Sequence, residues 1–394
     1  MKKLLVIGAS VLQLPAILRA KEMGMHVAVA DYNPSAVGIP YADEYFNVST
    51  IDAEGVTACA KTFAPDGIFT LATDMPMRSI AAACQALSLP AITPETAVRA
   101  TDKGEMIKAF AAHGVEHPWF YILSSVDEMD AVKDKITYPC ISKPTDNSGS
   151  RGVMLIHNES ELREALAYSA ENGRSGSVIV EEYLKGNEVS VEVIVLRGVP
   201  HILQVTDKLT TGAPHFVEMG HSQPSRLPEA DLESIRGLAS RAVLAVGIEN
   251  GPAHVEIMLT ENGPRMIELG ARMGGDCITT HLVPLSTGID MVEASIRIAI
   301  GEVPDITPKK KRGSAIRFFD VPKGTIESIE GANEARAIAG VTEVTFTKTV
   351  GDKAGEIGSS TDRVGFVIAE AETAEKAVQI CESALQAVKI TVKA

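Results

Sequence analysis

Between residues 4 and 31 the chain passes from an unbroken apolar run, LLVIG at 4–8, through a stretch with apolar residues at helical spacing at 12–23, to a second run, HVAVAD at 26–31. Buried parallel strands read as continuous apolar runs and a covering helix as a single stripe, so the chain is expected to open with a βαβ unit. A further strand is predicted at GIFTLATD, 67–74, followed by a helical stretch to Leu87 and the stop LPAITPE with its two prolines. A first domain with a doubly wound parallel sheet is therefore expected over residues 1–95.

From 102 to about 301 strands and helices alternate with denser polar chemistry, which defines a central domain at 96–305. PDITPKKKRG at 304–313 joins two prolines to four successive cations and predicts an exposed connector. Strand-like SAIRFF and VTEVTFTKTV and an amphipathic helix at 374–388 then predict a small α+β domain at 306–394. No internal repeat is visible.

With 394 residues, 45% hydrophobic and 22% charged, the chain is long enough for several cores and a cleft between them. No apolar run approaches membrane-spanning length, so no membrane association is expected. The opening MKKLLVIGAS has too short an apolar run for a signal peptide and no small-residue cleavage site. A formal charge of −14 opposes a nucleic-acid partner. Five scattered cysteines without a CxxC pair suit free, buried thiols and a cytoplasmic location. Gly8 lacks the two further glycines of a dinucleotide fingerprint, so it is read as a tight-turn residue and Asp31 as a turn cap.

Three segments carry chemistry. In YPCISKPTDNSGSRGVMLI, Lys143 ends an apolar strand and Ser148, Gly149, Ser150, Arg151 and Gly152 follow as a loop whose N–H and hydroxyl donors suit phosphates. A glycine-bearing hairpin is the plainer reading. Lys103, at a helix start, is placed to reach the same phosphates or to be a solvated lysine. In SVIVEEYLKGNEVSVEVIVL, Val189, Val191, Val193 and Val195 share one strand face and leave Glu188, Ser190, Glu192 and Ile194 on the other. A purine and its ribose need two acceptors and a backbone donor, which Glu181, the Leu184 N–H and Glu188 supply; an ordinary hairpin with exposed glutamates accounts for them equally.

The third segment is AHVEIMLTENGPRMIELGARMGG. Glu256 and Glu268 are equidistant from residue 262 in the turn Glu261–Asn262–Gly263, so hairpin pairing sets the two carboxylates opposite each other or within one register step. Like charges opposed on one face destabilise a sheet, and the neighbours His254 and Met258 offer no obvious cation. A bound divalent ion would resolve the conflict, with all-oxygen ligation favouring Mg²⁺. The alternative is one glutamate protonated or turned to solvent. Arg272, four residues on, offers a fork for anionic oxygen.

The order of these parts, a lysine, a strand lysine with a glycine loop, EEYLKGNE, and two hairpin glutamates followed by an arginine, resembles the ATP-grasp superfamily over nearly the whole chain. The resemblance implies an ATP-grasp fold of the α/β class: a doubly wound N-terminal domain, two central α+β lobes gripping ATP with a lid lobe at about 115–190, and a C-terminal α+β piece. It makes Lys103 and Lys143 nucleotide lysines, Ser148 to Gly152 the lid loop, and Glu181, Tyr183, Leu184 and Glu188 the adenine and ribose segment. Glu256 and Glu268 become ligands of Mg²⁺, or of Mn²⁺ in its place. One departure is plain: Gly270 stands where the family carries a ligand asparagine, which puts a second metal in doubt.

VTDKLTTGAPHFVEMGHSQPSRL, IELGARMGGDCITTHLVPLSTGID and GDKAGEIGSSTDRVGFVIAEAETAEKA are similar to the L-amino acid ligase branch, which makes dipeptides. That likeness places Lys208 near the transferred phosphate and His221 and Arg272 near the acyl phosphate or substrate carboxylate. The implied partners are a small carboxylate and an amine, with a homodimer through the N-terminal domain. Alternatives are a purine-pathway or carboxylase-like ATP-grasp enzyme acting on a ribonucleotide, and a nucleotide-binding module without catalysis.

Overall fold

The computed structural model describes every residue except Ser148, Ser150, Pro214, His215 and Ala394. Lys3–Ile7 pairs in parallel with His26–Ala30 on one side and Gly67–Phe69 on the other, and Glu44–Phe46 completes a four-stranded sheet. Leu5 and Ile7 pack with Val56, Phe63 and Ile80 from the helices Ala53–Phe63 and Met77–Leu87, whereas Leu4 and Val6 pack with Ile17 and Ala20 of Leu14–Glu22. Helices on both faces are what the unbroken apolar strands predicted. Asp31 accepts from Ala9 N and Asn33 N, both at 2.8 Å, and so caps a turn.

The strand expected over 67–74 stops at Phe69. Gln13 Nε2 donates to Leu71 O at 2.7 Å and Ala72 takes a positive φ of 60°, so the chain leaves the sheet and carries Asp74 towards the central domain.

Phe120–Leu123, Val178–Glu182, Cys140–Pro144 and Met154–Ile156 form an antiparallel sheet of four strands, in that order. The helix Glu159–Glu171 covers it with Leu162, Ala165, Leu166 and Ser169, the spacing of a single buried stripe. Leu123, Ile156, Leu162, Leu166 and Val180 give this lobe a core of its own.

An eight-stranded antiparallel sheet runs through the rest of the molecule in the order Gly263–Gly270, Gly251–Thr260, Asn187–Leu196, Val199–Thr210, Glu218–Gln223, Gly313–Phe318, Gly365–Ala371 and Val341–Phe346. Gly220 pairs with Arg317, so the central and C-terminal parts share one sheet across the basic connector. Lys310 and Arg312 in that connector reach Glu370 at 3.2 and 2.7 Å. The apolar face behaves as expected: Val189, Val191, Val193 and Val195 are buried with Ile235, Leu238 and Ala242 of the helix Glu229–Ala245. Each such valine contributes roughly 1.5–3 kcal/mol of burial. On the opposite face Glu188, Ser190 and Glu192 face the polar groups, while Ile194 packs into a second core. All five cysteines are free, four buried and Cys277 half-buried. Among the described residues no helix is long and apolar enough to cross a membrane.

Candidate active site

The polar face of the large sheet and the inner face of the lobe enclose a cleft lined by Lys103, Lys143, Glu181, Tyr183, Glu188, Glu256 and Glu268, among others. Its lobe side follows from register. Ile141 pairs with Glu181 and Lys143 with Ile179, which puts Lys143 and Glu181 on one face, Nζ to Oε1 at 2.5 Å. Lys143 and Glu181, expected to serve phosphate and adenine, thus neutralise each other here. Gly149 and Arg151 also line the cleft, whereas Ser148 and Ser150 lie outside the described residues. Gly152 does not line it: a Cβ there would meet Asn172 Cβ at 2.7 Å, so the glycine is required by packing and by its φ of +79°. Lys103 Nζ donates to Asn147 O at 2.7 Å, which ties the loop to the helix Lys103–Ala112.

Tyr183 and Leu184 line the cleft as well, and Tyr183 faces Phe216 with ring centroids 6.3 Å apart. Phe216 was not foreseen. Its segment, TTGAPHFVEM, carries no periodicity that marks a cleft residue.

Glu256 and Glu268 are directly paired in the hairpin, as their equal distances from the turn predicted. The expectation that nothing compensates them is overturned. Lys208 Nζ lies 3.2 Å from Glu256, 3.6 Å from Glu218 and within an ion pair with Glu188, while Lys103 Nζ lies 3.0 Å from Glu268. His254 Nε2 is 3.3 Å from Glu256 and Nδ1 is 2.7 Å from the fully buried Glu192. Burial alone would discharge this imidazole, but Glu192 and Glu256 outweigh it and raise His254 to about 9. At neutral pH His254 is therefore a cation. Burial likewise opposes the charge on Lys208, yet Glu256 and Glu188 hold it well above the ordinary lysine value. Glu256 is held well below the carboxylate range, because Lys208 and His254 outweigh its burial. Burial, with Glu256 and Glu218 nearby, pushes Glu188 upward despite Lys208.

Four cations, Lys103, Lys143, Lys208 and His254, thus face six carboxylates, Glu181, Glu188, Glu192, Glu218, Glu256 and Glu268. Glu256 and Glu268 nonetheless present their carboxylates side by side at the cleft wall. That donor set fits a hard divalent cation. Among the described residues no three His, Cys, Asp or Glu side chains converge on one point, so such an ion would draw its other ligands from phosphate oxygens and water, the habit of Mg²⁺.

The remaining predicted residues assemble beside this centre. Lys208 and His221 are direct partners in adjacent strands and share the face that carries Glu256. His221 Nε2 lies 3.3 Å from Asp276 Oδ2, and its Nδ1 is buried without a protein partner. Asp276 is gripped by both nitrogens of the Arg363 fork at 2.7 and 2.6 Å, and Arg363 lies 3.7 Å over the Phe318 ring. Burial would raise the Asp276 carboxyl, but Arg363 and His221 hold it far below its ordinary value. Arg272 is held by Asp74, Nε to Oδ1 and Nη2 to Oδ2, both at 2.9 Å. Sequence reasoning missed Asp74, Asp276 and Arg363.

Residues 136–280, which hold Lys143, both opposed glutamates and Arg272, match the family described as ATP-grasp domain. The chain carries an ATP-grasp domain. Residues 317–393 match L-amino acid ligase C-terminal domain 2, so Arg363 belongs to that second unit. The ATP-grasp family's ligases are ATP-dependent and ADP-forming, and the likeness to solved examples extends end to end. An L-amino acid ligase from Bacillus licheniformis superposes with a TM-score of 0.86 at 23% identity, covering 100% of this chain and 99% of that one. A phosphoribosylglycinamide synthetase from Anaerococcus prevotii gives 0.81 at 24% identity, with both chains fully covered. At such identities these likenesses speak for the fold alone. In sequence, the L-arginine-specific L-amino acid ligase of Bacillus subtilis is 26% identical over 276 residues, 68% of this chain and 66% of that protein. Several other curated relatives are longer, and the chain spans as little as 33% of their length.

Proposed function

We propose that this ATP-grasp chain joins the carboxylate of one amino acid to the amine of another, with ATP cleaved to ADP and phosphate. The observation that carries the reading is the joint between its two matched units. Arg363, in the segment similar to the L-amino acid ligase C-terminal domain, grips Asp276 four residues after Arg272 and beside His221. A domain of the amino-acid-ligase kind thereby helps to build the wall next to the phosphate end.

The chemistry follows from charge. A carboxylate must approach the γ-phosphate of ATP, and two anions come together only where cations are fixed in advance. Lys103 and Lys143 line the cleft, Lys208 lies behind Glu188 and Glu256 of its wall, and Arg272 stands beside it, held by Asp74. Glu256 and Glu268 would hold Mg²⁺, which when bound neutralises phosphate oxygens. Carboxylate attack on the γ-phosphate forms the acyl phosphate and releases ADP. The amine then forms the C–N bond, the C–O bond to phosphate breaks, and inorganic phosphate leaves. Gly149 and Arg151 line the cleft and would help to keep water from the acyl phosphate.

Phosphate release from ATP and Mg²⁺ with single and paired amino acids, followed by mass spectrometry of the products, tests this reading. Stimulation by ribonucleotides alone would leave the ATP-grasp chemistry and remove the dipeptide assignment. A cytoplasmic location and a homodimer through the N-terminal domain belong to the same proposal, the latter checked by mass in solution.

A further inference from the structure

Gly270 is the position where the chain departs from the pattern its site otherwise follows, and the structure shows what stands there instead. Residue 270 lies two positions beyond Glu268 on the same strand and pairs with His254, so a side chain at 270 would project on the face that carries both opposed carboxylates. A Cβ at Gly270 would lie 2.6 Å from Asp74 Oδ1 and 3.0 Å from Arg272 Cζ and Nε. Asp74 and the guanidinium of Arg272 together fill that space.

The pair comes from opposite ends of the architecture. Asp74 sits beyond the first-domain strand Gly67–Phe69, on the segment turned out of the sheet at Ala72, and Arg272 follows Gly263–Gly270, an edge strand of the large sheet. Their contact is side-on, through Nε and Nη2, at 2.9 Å for both bonds. Nη1 donates to Met273 O at 3.2 Å. Three hydrogen bonds therefore fix the guanidinium plane, and one N–H on each of Nη1 and Nη2 remains for an anionic oxygen. Both side chains keep some exposure, 14% for Arg272 and 23% for Asp74, so the forked edge is not sealed.

We propose that Asp74 is a positioning residue of the transfer site: it occupies the space left by Gly270 and orients Arg272 so that the free edge of the fork meets the phosphate that is transferred and released. The inference rests on the ligase reading above. It assigns the N-terminal domain a direct part in the site, and it explains why residue 270 carries no side chain.

A single residue acting through another leaves a signature in a double-mutant cycle. In the full chain, wild type, Asp74→Asn, Arg272→Lys and the double variant are compared by calorimetry, first for MgADP and then for inorganic phosphate added to the MgADP-loaded protein. Each single substitution is expected to weaken phosphate about tenfold and leave MgADP within about twofold, and the double variant to be no more than about threefold worse than either single. Gly270→Ala, whose added methyl presses on Asp74, is expected to reproduce the Asp74→Asn result. Losses that multiply in the double variant, an unchanged phosphate affinity in Asp74→Asn, or no phosphate binding by wild type on MgADP would overturn the proposal. A wild-type chain that fails to bind MgADP contradicts the ligase reading itself, so the two failures are distinguishable.

Discussion

The wall of the cleft and the arginine–aspartate region beside it, the proposed nucleotide and transfer ends, are stabilised in different ways. At the nucleotide end, Glu256, Glu268, Lys208, Glu188 and His254 come from neighbouring strands of one sheet, and register alone brings them together. At the transfer end, Arg272 depends on Asp74 from a position 198 residues away, and Asp276 on Arg363 from a position 87 residues away. The first is a dense ion-pair cluster within one sheet. The second is a set of arginine–aspartate clamps between domains. The difference implies that substitutions at the nucleotide end act on metal and ATP, and those at the transfer end act on chemistry after ATP has bound.

The largest effects should separate the opposed glutamates themselves. Glu256→Gln leaves Lys208 and His254 without their shared carboxylate, and breaking a buried pair costs about 3–5 kcal/mol, so both stability and turnover should fall. Glu268→Gln, whose partner Lys103 also bonds Asn147 O, should keep the melting temperature within a few degrees while activity drops more than about tenfold. Thermal melts beside ADP-release assays check both. Wild-type turnover by folded Glu268→Gln at all magnesium concentrations contradicts the metal assignment.

Next in size is the response of Lys143→Ala. Protection of the protein by ATP against heating should shrink, because a cation at the lobe side of the cleft is lost. The buried Glu181 also loses its partner, so a modest fall in intrinsic stability accompanies the change. An unchanged shift at saturating nucleotide would place Lys143 outside the nucleotide's reach.

Arg363→Ala probes the other end. It releases Asp276 and His221 and should lower turnover by about tenfold, through loss of oriented groups, while ATP protection stays as in wild type. Equal losses in both measurements would erase the distinction between the two ends.

Acid and alkali give the smallest and most selective contrast. His254 is raised from 6.5 to about 9, so its contribution to stability is complete below pH 6.5 and is lost as pH rises through about 9. Asp276 is depressed from 3.8, so its contribution is complete above that value and is lost as pH falls through its lowered folded value. With chelator present, His254→Gln should flatten the alkaline limb of a stability profile and Asp276→Asn the acid limb. A flat alkaline limb already in wild type would show that His254 is neutral.

The same contrast decides what could be read in the chain beforehand. Glu256 and Glu268 were legible because a tight turn converts sequence distance into register, and the valine alternation at 189–195 declared which face was free. The doubly wound opening was legible from apolar runs that need cover on both faces. His254 was misjudged, since an imidazole's charge depends on neighbours such as Glu192 that are set by cross-strand register. Asp74 was hidden because its run looked like the tail of a strand, and Asp276 and Arg363 because no local period links residues brought together by tertiary packing.

Activation of a carboxylate as its phosphate, proposed for this cleft, can be trapped directly. With ATP, Mg²⁺, a panel of amino acids and added hydroxylamine, a small nucleophile intercepts that species, and the account predicts an amino acid hydroxamate formed with ADP and phosphate. Replacing Arg272 should suppress the hydroxamate far more than it weakens ATP binding, because the free edge of its fork is proposed to meet a reacting oxygen. Formation of AMP and pyrophosphate in place of ADP and phosphate would contradict the account.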